Sequence, residues 1–262
     1  HVKGLPKLDR VTFRFVTDPN AVLAALKAGD VDASLFGLGP EHVQDLAKDP
    51  RFTVITGDTT NDVVLAMNNS RKPYSDVRVR RALTYGINKG DVLKGAMFGM
   101  GKILGTNVDP LNPYYVDMSK PMPYDPAQAK KLLTEAGYPN GFDTLLKVSP
   151  QYDYTVRSGQ IVADNLKKIG VNVKIEQIEW GQWIARVFRE ADYDLTIIGH
   201  AEAWDIKNYA NAKYYFRYDS PKFQALFAKS EVTVDDKARR DIYVDMQKLL
   251  VEDAPVDWLF MH

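Results

Sequence analysis

Cysteine is absent from this sequence. That absence excludes disulfide frameworks, zinc–thiolate sites and cysteine nucleophiles together. It is compatible with an oxidising compartment without requiring one. No apolar run approaches the ~20 residues that a helix needs to cross a bilayer. Net charge is absent as well: 34 Lys+Arg balance 34 Asp+Glu, so no global field favours nucleic acid or an anionic membrane. No repeat and no low-complexity tract interrupts the chain.

What is present is a globular composition. The 262 residues are 45% hydrophobic and 26% charged, enough apolar surface for one or two domains with a real core. The first residue is His1 rather than Met. We therefore expect an exported protein to stand here in processed or trimmed form.

Residues 1–65 alternate short elements. "VTFRFV" (11–16) has apolar residues at 11, 13 and 15, the period of a half-buried strand. "PNAVLAALKAGD" follows, with Pro19 placed to start a helix and Gly29 to end it. "VDASLF" (31–36), "PEHVQDLAKDP" (40–50) and "FTVIT" (52–56) read as strand, helix and strand. This order argues for α/β units.

From Ser75 the chain is more helical. "SDVRVRRALTYGIN" sets Val79, Ala82, Leu83 and Ile87 on one face, with Ser75 or Asp76 as cap. Arg78, Arg80 and Arg81 read as a solvated face or as ion pairs, since no aromatic stacking pattern accompanies them. "YDPAQAKKLLTEAGYPNGF" is the clearest local signal. Asp125 is an N-cap, Pro126 fits the first helical position, Gln128 completes a capping box and Gly137 ends the helix. Later come a helix carrying Val162, Leu166 and Ile169, a strand "VNVKI", and a helix with Ile184, Val187 and Phe188 inward. The continuous apolar strand "DLTIIG" follows, and a last helix runs from about 236 to 251.

The glycines at 99, 101 and 105 follow a helix and do not fit G-x-G-x-x-G, so the stretch reads as a long ordered loop of the kind that carries function. His200 and Glu202 are two apart and would point to opposite sides of an extended loop. No H-E-x-x-H is present, and an H-x-E of the deaminase type lacks its P-C-x-x-C partner. Neither a metal nor a cofactor is expected.

Several stretches occur in an order that resembles a known family. They are "LAALKAGDVDAS" (23–34), "PYSDVRVRRALTYGINKGDVL" (73–93), "YDPAQAKKLLTEAGYPNGF" (124–142), "NLKKIGVNVKIEQIEWGQW" (165–183), "FREADYDLTIIG" (188–199) and "LLVEDAPVDWLF" (249–260). The chain is similar to the solute-binding proteins of bacterial peptide and nickel ABC importers, the family-5 extracytoplasmic binding proteins. The resemblance spans nearly the whole chain but only the middle-to-late part of the family's length.

That resemblance implies an α/β fold of the type II periplasmic-binding-protein kind, with two lobes and only part of the first lobe present. Residues 1–65 would be partial first lobe, 66–252 the second lobe and 253–262 a crossover strand returning to the first. The hinge strands would lie near 55–67 and 253–260. The protein would do no chemistry. It would be a periplasmic or otherwise extracytoplasmic monomer that closes on a peptide or similar small polar solute and hands it to a membrane permease.

The loop after "DLTIIG" carries the candidate ligand-binding residues His200, Glu202, Trp204 and Asp205. It lies beyond the carboxyl end of a strand, where α/β lobes bind ligands, and Gly199 would let the chain turn. Peptide-binding relatives usually read G-W-x-x-D-x-x-D-P here. This chain has His200 in place of Trp, and no Pro follows Asp205. Glu202 is expected to supply the main negative charge, beside Trp204, at the border of the cleft. Two other readings stay open. A hydrolase could pair Glu202 with Asp205, although Ser34 and Ser149 lack G-x-S-x-G. A ligand-sensing lobe of a regulator is the other.

Overall fold

The computed structural model describes residues 4, 7–35, 38–202 and 204–261. They divide into two compact units, 1–56 and 57–262. The boundary falls earlier than the one read at 65/66, because the strand beginning at Asp62 is buried along its whole length and belongs to the second unit.

The first unit contains helices α1 (Pro19–Ala28) and α2 (Pro40–Leu46). Asp18 caps α1 by accepting from the Ala21 amide, and Gly29 closes it at φ 79°, a left-handed conformation that glycine adopts at little cost. The three strands expected in this segment do not form among the described residues. Phe36, the last residue of the second of them, lies outside the described residues. A strand exists only through its neighbours' hydrogen bonds, and these segments have no partner strand among the described residues. Several of their apolar side chains stand in solvent: Phe13 is 74% exposed, Phe15 95% and Ile55 89%.

The second unit is built on one six-stranded sheet with the order β2-β6-β1-β5-β3-β4. Its strands are β1 (Asp62–Met67), β2 (Lys102–Ile103), β3 (Phe142–Val148), β4 (Val171–Gln177), β5 (Leu195–His200) and β6 (Val256–Met261). β3 pairs parallel with β4 and β5, whereas β1 runs antiparallel to β5 and β6. β6 is therefore a full member of this sheet, where the sequence reading draws a strand returning to the first lobe.

Side chains alternate across the sheet into two cores, as the period of two requires. Val63, Leu65 and Met67 of β1 face one core with α3 (Val77–Gly86), α4 (Lys89–Met97), α5 (Pro126–Glu135) and α6 (Asp153–Lys167). Val64 and Ala66 face the other. That second core holds residues of α9 (Pro221–Val232) and α10 (Asp236–Asp253) and a cluster of aromatics. A β-bulge opposite Val63/Val64 sets Leu259 and Phe260 into the same core although they are consecutive.

Local signals explain most helix ends. Asp125 accepts from the Ala127 and Gln128 amides at 3.0 and 2.9 Å. The reciprocal half of the expected capping box is not made, because the Asp125 amide donates instead to the Tyr85 carbonyl at 2.8 Å. The helix read around residues 182–190 is a short α7 (Trp180–Gln182) continued by a π-helix (Trp183–Arg189). The wider turn buries Trp183 and Val187 and leaves Phe188 40% exposed. The segment between α4 and α5 is the ordered loop expected there, with Leu104, Thr106, Asn107, Val108 and Asp109 buried.

Candidate functional site

β3, β4 and β5 all run towards one edge of the sheet, and antiparallel β1 starts at it. In this register Asp62 stands opposite His200. Directly opposed residues on adjacent strands share a face, so both side chains enter the aromatic-rich core. α8 (Ile206–Tyr209) begins just after Asp205 and brings that carboxylate back under the strand end. The ligating atoms of Asp62, His200 and Asp205 lie within 4.8 Å of one another.

Their contacts are specific. His200 Nδ1 is 3.3 Å from Asp205 Oδ2, and His200 Nε2 is 2.9 Å from the Tyr215 hydroxyl. Asn107 Nδ2, from the long loop, donates to Asp205 Oδ1 at 2.5 Å. Asp62 is 2% exposed, and its Oδ2 has no hydrogen-bond partner. Burial pushes the Asp62 carboxyl well above its usual range, and the nearby acids Asp205, Glu202 and Asp109 push the same way. The Tyr215 hydroxyl is likewise driven up, by burial first.

The loop residues read from the sequence divide into two pairs. His200 and Asp205 turn inward and contact each other. Glu202 and Trp204 are exposed. Trp204 stands edge-on to Tyr114 and Tyr243, with centroids 6.1 and 6.4 Å away, and those two tyrosines stack on each other at 4.3 Å. An aromatic shelf thus lies beside the Glu202 carboxylate's loop. A stack of Trp180 on Trp183 at 5.0 Å lies on the same unit, and Trp183 Nε1 donates to Thr196 Oγ1.

Gly199 is not a turn. It is the penultimate residue of β5 and pairs with Val63. A Cβ there would meet Asn61 Oδ1 at 2.6 Å and the Tyr154 hydroxyl at 2.8 Å. The glycine allows close approach rather than a reversal, and the strand reaches His200 before the loop begins.

Sequence reasoning missed Asp62 and Asn107. Asp62 carries a weak signal, an acid that opens the fully apolar run "VVLAM". Asn107 lies in the loop singled out for its length, without a pattern of its own. The buried pair His200–Asp205 is not a carboxylate pair with Glu202, so the two acids considered for glycoside cleavage face different surroundings.

Comparison with known proteins adds ancestry to this geometry. Over residues 1–222 the chain matches the pattern of the bacterial extracellular solute-binding proteins, family 5 Middle. It is 30% identical to the glutathione-binding protein GsiB of Pectobacterium atrosepticum, covering 98% of this chain and 52% of that protein. It superposes on the periplasmic binding protein DppA from Helicobacter pylori, solved with the peptide STSA. That match has a TM-score of 0.83 and 25% identity, covering 94% of this chain and 50% of the other. AgaA from A. tumefaciens R10, solved with agropinic acid, gives a TM-score of 0.80 and 26% identity, over 94% and 52% of the two chains. The chain spans about half the length of the curated relatives it matches. Extended over 222 of its residues, the match shows that the chain belongs to the bacterial extracellular solute-binding proteins of family 5.

Proposed function

We propose that the whole protein is the extracytoplasmic substrate-binding component of an ABC importer. It captures a peptide or similar small polar solute and delivers it to a membrane permease, without chemistry of its own. The observation that carries this reading is the run of relatives covering nearly all of the chain. Their names cite glutathione, the peptide STSA and agropinic acid. These are small polar solutes bearing a carboxylate, and none of the three proteins is named as a hydrolase or a regulator.

Residues 1–56 would then be part of a first lobe, completed by chain that the relatives have in addition. Residues 57–262 would be the second lobe, and lobe closure would exclude water and strengthen each polar contact. The protein would act as a monomer in the periplasm or an equivalent extracytoplasmic space. Glu202 would anchor the amino group of the solute through a charge-assisted hydrogen bond, with Trp204 as the stacking face. The exposed placement of both side chains at the carboxyl edge of the sheet supports this role.

The test uses a protein of the relatives' length, purified without denaturation. Native mass spectrometry weighs any solute carried along, and calorimetry is run with glutathione and with a tetrapeptide. Removing one partner of such a pair costs about 2–5 kcal/mol, so Glu202→Gln should weaken binding roughly 30-fold or more. Unchanged affinity with an intact circular dichroism spectrum would remove Glu202 from the site.

A further inference from the structure

We propose that Asp62, His200 and Asp205 form a binding site for a divalent transition-metal ion, zinc by preference. Three observations converge on it. The first is the donor set. One imidazole nitrogen and two carboxylates, each no more than 6% exposed, bring their ligating atoms within 4.8 Å. An imidazole with carboxylates suits zinc or nickel better than magnesium or calcium, which take oxygen ligands.

The second is the pattern around the donors. Tyr215 lies 2.9 Å from His200 Nε2 and orients the ring so that Nδ1 faces the cluster. Asn107 holds Asp205 Oδ1 and leaves Oδ2 for the same point. Metal-bound histidines and carboxylates are steadied in this way through their outer atoms. The separation of His200 Nδ1 and Asp205 Oδ2, 3.3 Å, is long for a charged hydrogen bond. It matches two donors of one tetrahedral ion, which at bond lengths of ~2.0–2.1 Å stand roughly 3.3 Å apart.

The third is independent of both. Asp62 Oδ2 is buried and has no hydrogen-bond partner, and a carboxylate oxygen of Asp62 lies within 4.8 Å of the other two donors. A buried polar atom without a partner is costly. A cation bound between the three side chains would satisfy the unpaired oxygen. With three protein ligands, the fourth position of a tetrahedral ion falls to water.

This inference stands apart from the Glu202 reading, and failure of either leaves the other in place. The protein is stripped with chelator, dialysed and titrated with zinc chloride by calorimetry, with nickel chloride in parallel. The expected result is one zinc per chain, bound at micromolar dissociation constant or tighter. Asp62→Asn and His200→Gln should each weaken it about 100-fold, and Tyr215→Phe about 10-fold. Saturating zinc should raise the melting temperature of the wild type and leave that of Asp62→Asn unmoved. X-ray absorption of the zinc-loaded wild type should show scattering from a single imidazole. An unmoved wild-type melting temperature, or a zinc shell without imidazole, overturns the proposal without any variant. Zinc bound equally well by Asp62→Asn and His200→Gln overturns it too, by placing the ion elsewhere.

Discussion

At the scale of single residues, the candidate loop shows what a sequence can and cannot reveal. His200, Glu202, Trp204 and Asp205 are legible because a polar cluster follows an apolar strand. Which of them turn inward is not, because that depends on Asp62 and Asn107, far away in the chain and delivered by strand register and a loop. Gly199 is the sharper lesson. A glycine before a polar loop suggests a turn, yet here it marks where Asn61 and Tyr154 press against the strand. Gly199→Ala should therefore destabilise by overpacking, by about 1–3 kcal/mol, read as a lower urea midpoint at unchanged slope. The same substitution in an Asn61→Ser background should cost less, because Ser shortens the side chain nearest the new methyl. Equal costs in both backgrounds would show that strand conformation, not crowding, demands the glycine.

At the scale of elements, helix caps were the most legible feature and charged faces the least. Asp125 caps the helix that the sequence assigns to it, Asp76 rather than Ser75 caps α3, and Asp18, just before the Pro19 start, caps α1. α9 was overlooked although its Ser220-Pro221 start repeats the Asp125-Pro126 logic, since the aromatic run before it hides the period. The arginines of α3 read as a solvated face or as ion pairs; Arg78 does pair with Asp76, but Arg80 is 7% exposed. Its guanidinium donates to the carbonyls of Asp253 at 2.6 Å, Ala254 at 3.1 Å and Tyr74 at 2.8 Å. Arg81 donates to the Glu252 carbonyl at 2.5 Å, and Arg78 to that of Glu135 at 2.6 Å. The three side chains thus serve the carboxyl ends of α10 and α5, where unsatisfied carbonyls and the helix dipole favour cations. Burial lowers the Arg80 pKa to about 10, so it stays charged at neutral pH. Arg80→Met should cost about 2–3 kcal/mol, the value of hydrogen bonds to a charged group plus the orphaned carbonyls. Arg80→Lys should recover only part of it, because an ammonium cannot reproduce the planar fork. Full recovery by Lys would mean that charge alone matters at this helix end.

At the scale of the whole molecule, the family was legible because its weak motifs occur in order along the chain, and the second unit's sheet follows from apolar runs buried on both faces. Where the units divide was less legible. β1 reads as an apolar strand whichever body it joins, and only its pairing with β5 and β6 assigns it to residues 57–262. The strands expected at 11–16 and 52–56 are absent for a different reason, which gives the last prediction. At 11–16 the pattern is that of a half-buried strand, yet Val11, Phe13 and Phe15 are exposed, and at 52–56 Ile55 is exposed as well. An alternating apolar face that no element covers is a misfit between local pattern and surroundings, and an unpaired edge invites association. The chain spans about half of its relatives' length, so partner strands from the remainder would resolve the misfit. Hydrogen exchange on the 262-residue chain should find the amides of 11–16 and 52–56 exchanging at the rates of open loops, while those of β1 and β5 are protected. In a protein of the relatives' length the same amides should become protected, at least on alternate residues, as ladder partners form. The longer protein should also melt at a higher temperature than the shorter chain in matched, ligand-free buffer. Equal exchange at 11–16 in the two proteins would show that the alternation there is not a strand waiting for its sheet.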